Sequence, residues 1–234
     1  MSFGPFPIAF KLDRTRNASF QAFAHLRELI VSMTLVPGTQ LDRAELAEYF
    51  DLSSTPVRDA LTRLSKENLV DIYPQHATIV RGIDVDSIYE VHFLRLSLEL
   101  EITASLAKHP DSTLINALEG LLSQQVFALS RKDFDTFVRV DMEFHQRMFK
   151  AANVEELWHF VRSKSGNLDR LRRLHVPLAD KAKVVLADHT SIVSAIASGD
   201  VKLAQTCVRE HLSGSLNQLE ALRQQYPDYF LGGS

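Results

Sequence analysis

Residues 43–64 read RAELAEYF, then DLS, then STPVRDALTRL. Leu46 and Phe50 share one side of the first segment, and Asp42 stands where a helix N-cap belongs. The second segment opens on Ser54 or Thr55 as a cap, with Pro56 in its first turn, where a missing N–H costs nothing. Val57, Ala60, Leu61 and Leu64 form its buried stripe, and Thr55, Arg58, Asp59, Thr62 and Lys66 fall opposite. Two short helices joined by a tight connection predict a helix-turn-helix.

The flanks extend this reading. Upstream, Phe23, Leu26, Ile30 and Met33 predict a helix over about 20–33, ended by Pro37-Gly38. Residues 1–10 form an apolar arm containing Pro5 and Pro7. Downstream of Asn68 the period changes to alternation, predicting strands over 69–73 and 78–83 around the turn Pro74-Gln75-His76-Ala77. Residues 1–83 therefore read as a winged helix-turn-helix. Such a module places the start of its second helix against base edges in the major groove of double-stranded DNA. From Asp86 onward only helical periodicity appears, over 86–108, 111–130, 133–152, 154–174, 179–198 and 200–225. The fold class is mainly α, with an all-α antiparallel bundle over 84–234 whose tail from Pro227 is loose.

Composition narrows the functions. Among 234 residues, 45% are hydrophobic and 24% charged, which excludes a wholly disordered chain. A single cysteine, Cys207, excludes an intrachain disulfide framework and suits a reducing compartment. No apolar run suggests a membrane span, and the N-terminal charge follows the apolar stretch, so a cytoplasmic protein with no membrane partner is expected. Residues 1–83 carry 9 Lys/Arg against 9 Asp/Glu, so DNA binding must rest on local placement rather than on bulk charge.

The second half holds an anomaly. Phe134, Phe137, Asp141, Phe144, His145 and Met148 form one stripe, so Asp141 and His145 sit four apart on an inward face. His189 shares a face with Leu186, Ile192, Val193 and Ile196, and His211 shares one with Leu203, Cys207 and Leu212. If the last two helices form a hairpin at Gly199-Asp200, each histidine lies about 15–17 Å from the turn. Burying a carboxylate and three imidazoles is costly unless they are compensated, and a divalent metal compensates all four together. Asp141, His145, His189 and His211 are thus candidate ligands, the cation being Zn, Ni, Mn or Fe. The alternative is a local Asp141–His145 pair with the other histidines as satisfied core residues. The run Leu168-Asp169-Arg170-Leu171-Arg172-Arg173 reads as a solvated helix face or a dimer seam, and His25, His92, His109, His159 and His175 read as ordinary.

The order Pro37-Gly38-Thr39-Gln40-Leu41, Glu45-Leu46-Ala47, residues 53–61 and Leu64 resembles the DNA-binding domain of GntR-family transcription regulators. The resemblance implies DNA contacts at Arg43, Ser53, Ser54, Thr55 and Arg58. Arg58 is foremost, because a guanidinium pairs with a guanine edge or a phosphate. The alternatives are a solvated arginine and, for Thr55, a cap alone. The chain departs from the family at Ser54, where Arg is usual, and at His76-Ala77, where the wing tip usually has Gly. His76 is either a replacement contact or a loop histidine. Phe93-Leu94-Arg95, Leu98-Glu99, Asp141-x3-His145, His189, Ala195-Ile196, Gly199-Asp200 and His211 resemble the FCD ligand-binding domain of the FadR branch. That implies the same four metal ligands beside an effector pocket. It also implies Arg95 facing a small-molecule carboxylate, or else paired with Glu99 one turn on.

These readings predict a homodimeric repressor that binds an operator and responds to a small organic acid beside a divalent metal. The alternatives are a regulator for which the metal is itself the signal, and a metalloenzyme.

Overall fold

A computed structural model describes residues 10–74, 76–177 and 180–232. Gln75 and the arm over residues 1–9 lie outside the described residues. The chain divides into two compact units: the residues through Val85 together with those from Arg223 onward, and Asp86–Leu222.

The first unit opens with α1 (Ala18–Val31), followed by β1 (Gln40–Leu41), α2 (Arg43–Phe50) and α3 (Ser54–Lys66), then by β2 (Val70–Ile72) and β3 (Thr78–Val80). Asp42 caps α2 as expected, accepting from the amides of Ala44 and Glu45. Asp51 ends α2 in the left-handed region (φ 52°), which Asp tolerates better than most residues. The α3 cap position is Ser53 rather than Ser54 or Thr55, and its side chain makes no capping hydrogen bond. Leu26, Ile30, Leu46, Phe50, Val57, Leu61 and Leu64 close a common core. The sheet order is β1-β3-β2, all antiparallel. β1, only two residues long, is too short to show alternation and escaped the sequence reading.

The chain's end corrects the sequence reading. The tail is not loose, and from Arg223 the chain belongs with the first unit rather than with the bundle. The Ile83 amide donates to the Tyr229 carbonyl (2.7 Å), and the Leu231 amide donates to the Ile83 carbonyl (3.0 Å). Ile83 and Phe230 thus form a parallel bridge, both buried. Gly82 permits this approach, since a Cβ there would lie 2.9 Å from a Leu231 methyl and 3.1 Å from its amide nitrogen.

The second unit contains α4 (Val85–Lys108), α5 (Ser112–Ser130), α6 (Phe134–Ala151), α7 (Glu155–Lys164), α8 (Gly166–His175), α9 (Lys181–Ala197), α10 (Val201–Ser213) and α11 (Leu219–Gln225), although Val85 and the last residues of α11 fall to the first unit. Asp111, Asp133 and Asp200 cap α5, α6 and α10. Gly199 turns α9 into α10 at φ 73°, a conformation that favours glycine. α5 packs on α6 and α9, and α9 packs on α10. Val140, Phe144, Met148, Ile192, Ile196 and Val208 lie in the shared core. The helix expected over 154–174 breaks at Ser165, whose hydroxyl donates back to the Val161 carbonyl (2.8 Å). The helix expected over 200–225 ends at Ser213 and resumes at Leu219. On α10 the buried positions are Ala204, Val208, His211 and Leu212, while Leu203 is exposed. Among the described residues, no helix is long and apolar enough to cross a membrane.

Gly82→Val should detach the tail from Ile83. Losing one such hydrogen bond costs about 1 kcal/mol, or roughly a fivefold rise in exchange. Hydrogen exchange at the Leu231 amide should show that rise, and unchanged protection would contradict the close-approach account.

Candidate functional site

The four candidate ligands come together. Asp141 and His145 project from α6, His189 from α9 and His211 from α10, and one donor atom from each lies within 4.8 Å of the others. All four are buried. His211 Nε2 stands 3.2 Å from both His145 Nε2 and His189 Nε2, and Asp141 Oδ1 is 3.6 Å from His189 Nε2.

The far side of each ring explains why the Nε2 atoms meet. His145 Nδ1 donates to Glu99 Oε2 (2.7 Å), and His189 Nδ1 donates to Gln125 Oε1 (2.9 Å). His211 Nδ1 lies 3.5 Å from Asp188 Oδ2. A neutral imidazole carries one proton, and these acceptors assign it to Nδ1. Three Nε2 lone pairs then point at one another and at a carboxylate oxygen. Asp141 Oδ1 is buried with no hydrogen-bond partner, while Oδ2 accepts from Arg172. Four Lewis-basic atoms facing one point are a set of divalent-cation donors.

Burial and charge set the protonation states. Burial holds His145 at about 4, against the pull of Glu99, and with the neighbouring His211 it holds His189 well below the ordinary histidine value. Burial alone would raise Glu99, but Arg95 and His145 outweigh it and bring the carboxyl to about 2. Asp141, equally buried, is held well below the usual carboxylate range by Arg172 and the histidines. At neutral pH the carboxylates are therefore ionised and these two imidazoles neutral, as metal binding requires.

Two expectations need correction. The run 168–173 is not a solvated face: Leu168 to Arg172 are buried. Their charges are tolerated because they are paired, Arg172 with Asp141 and Asp169 with Arg162 (2.8 Å). His92 and His175 are not ordinary surface residues, since both line a cavity of 280 Å³ that also reaches Arg95, Arg172, Asp188 and His211. Burial, then Lys181 and Arg172, lowers His175 to about 4. Arg95 is both things the sequence allowed: its Nε donates to Glu99 Oε1 (2.7 Å), and it lines the cavity. Sequence reasoning missed Gln125, Asp188 and Arg172 as partners of the four ligands. Asp188 adjoins His189 in sequence, but no spacing rule connects Gln125 or Arg172 to it. Cys207 packs against the core, and Glu143 faces Arg147 (3.7 Å).

In the first unit, Arg43, Ser53, Ser54, Thr55, Arg58 and His76 are all exposed. Arg58 leaves α3 with its side chain 64% exposed, and its nearest acidic group, Asp59, is 3.9 Å away. The uncapped start of α3 leaves its first amides to water or to a phosphate.

Residues 19–80 match the description of the bacterial regulatory proteins of the gntR family, and residues 88–214, more than half of the chain, match the FCD domain. The chain belongs to the GntR family. As a GntR-family protein with an FCD domain, it is a DNA-binding transcriptional regulator. It is 32% identical to an HTH-type transcriptional regulator in an unstable DNA locus of Streptomyces ambofaciens, over 89% of this chain and 87% of that one. It is 27% identical to the HTH-type transcriptional repressor RspR of Escherichia coli, over 95% and 98%. The gluconate operon transcriptional repressor of Bacillus subtilis is 25% identical, over 84% and 83%. Among solved structures, E. coli McbR/YncC shares the fold with a TM-score of 0.74 and 22% identity, over 90% of this chain and 99% of that one. A GntR regulator from Rhodococcus shares it at 0.71 and 18%, over 88% and 99%. These relatives are transcriptional regulators, so the metalloenzyme reading is set aside.

The buried imidazoles give the helical unit a pH dependence. An unfolded histidine takes up a proton below about 6.5, whereas His145 refuses it until about 4. The unfolded state therefore binds more protons in that window. Stability should be full above pH 6.5 and fall as the pH drops toward 4, with Glu99 adding the same sign below about 4.5. Thermal unfolding of chelator-treated protein should show a falling midpoint, and a flat one would mean that these rings are not held neutral.

Proposed function

We propose that this regulator is a homodimeric repressor whose operator affinity is set by a small organic acid bound beside a divalent cation in the helical unit. The observation that carries the reading is the meeting of three Nε2 atoms and Asp141 Oδ1 with all their outward partners in place. Separations of 3.2 Å are those between neighbouring donors on one ion, with bonds of about 2.0–2.1 Å. Asp141, His145, His189 and His211 would hold the cation, which supplies a Lewis-acidic point for an anionic ligand. Zn, Ni, Mn and Fe all accept this donor set.

The cavity supports the acid. Arg95 and Arg172 line it, and Arg95 Nη2 is buried with no hydrogen-bond partner. An unpaired buried guanidinium nitrogen is a ready carboxylate donor. Repression is supported by the names of RspR and the gluconate operon repressor. Dimerisation follows from operator reading, since two recognition helices about 34 Å apart match successive major grooves. The aromatic surface of α4, where Phe93 is 74% exposed and Tyr89 is 53% exposed, suits coverage by a second copy. The acid would then shift the balance between head arrangements that fit and do not fit the two half-sites.

Arg58→Ala should weaken binding to a duplex selected from random sequence by about 1–3 kcal/mol, roughly 5- to 150-fold, with metal content unchanged. His189→Ala should lose the metal and the response to acid while still binding that duplex. Elemental analysis and a binding isotherm check both, and equal metal content in His189→Ala and the parent would refute the ligand assignment.

A further inference from the structure

Four ionised groups around the tetrad are nearly or wholly buried: Arg95 (6% exposed), Arg172 (6%), Glu99 (0%) and Asp141 (1%). Their charges cancel. Each arginine touches the tetrad on one side and lines the cavity on the other. Arg172 donates to Asp141 directly. Arg95 donates to Glu99 Oε1, whose other oxygen accepts from His145. The remaining charged lining, Lys181, Asp188 and Glu210, reaches water and is screened. A divalent cation on the four donors would leave two positive charges without a buried counter-charge. The cavity beside it, with Arg95 Nη2 unpartnered, is where that counter-charge belongs.

Resting on the proposed function, we infer that cation and acid bind as a linked pair, that the acid is a dianion, and that Arg95 through Glu99 is a link between them. A dianion in the cavity takes hydrogen bonds from Arg95, offsets the charge brought by the cation, and so tightens cation binding. By linkage the cation tightens acid binding by the same factor. Neither ligand alone is then the full signal, and the protein reads their coincidence. Glu99 is a positioning residue: it orients His145 and relays the state of Arg95.

The test is a Zn²⁺ titration of the full chain against a competing chelator, with and without succinate or butyrate. Succinate should tighten Zn²⁺ on the order of 10-fold, within the roughly 5- to 150-fold span of such couplings, and butyrate several-fold less. Arg95→Gln removes one buried positive charge. It should tighten Zn²⁺ in the absence of acid and lose most of the succinate effect, a pair of opposite shifts that mere loosening would not produce. Should that variant fold poorly, the parent still decides: Zn²⁺ must raise succinate affinity by the factor that succinate raises Zn²⁺ affinity. Equal Zn²⁺ affinity with and without succinate, equal coupling by butyrate, or undiminished coupling in Arg95→Gln would overturn the inference while leaving the metal site standing. Failure of the parent to bind Zn²⁺ at all would instead overturn the proposed function beneath it.

Discussion

Three imidazole lone pairs and one carboxylate oxygen directed at a single buried point are the constraint around which the helical unit is organised. Such an arrangement repels itself unless something positive holds it. The protein commits to it from outside, by setting Glu99, Gln125 and Asp188 against the Nδ1 sides of the three rings. Those partners fix the tautomers and thereby the inward direction of the lone pairs.

The same commitment accounts for the polar core. Arg172 on α8 is buried because Asp141 on α6 needs a cation on its outer oxygen, and Arg95 on α4 is buried because Glu99 needs one as well. Removing one partner from either pair would strand a charge in a medium that solvates it poorly. The break at Ser165 separates α8 from α7, so its axis is free of the helix before it. α8 is thus a helix whose polar residues face inward, which periodicity of apolar residues cannot reveal.

The head follows a different logic. Its core is apolar, its contact residues are exposed, and its functional surface is the start of one helix together with a short wing. The tail closes on Ile83 through two backbone hydrogen bonds, where only Gly82 leaves room. Backbone pairing of this kind uses groups that every residue carries, so side-chain patterning gives no notice of it.

The winged head, the helical second half and the four converging ligands were legible in the sequence, because each rests on local periodicity: 3.6 for a helix face, 2 for a strand, and ligands four apart or equidistant from a turn. Misread were the packing of Leu203, the break at Ser165 and the burial of Arg170 and Arg172, since none of these alters a period. The partners Glu99, Gln125, Asp188 and Arg172, and the cavity joining Arg95, His92 and His175, were decided only when separate helices met. Pairing between side chains far apart in sequence depends on the distance between helix axes, and no single segment carries that distance.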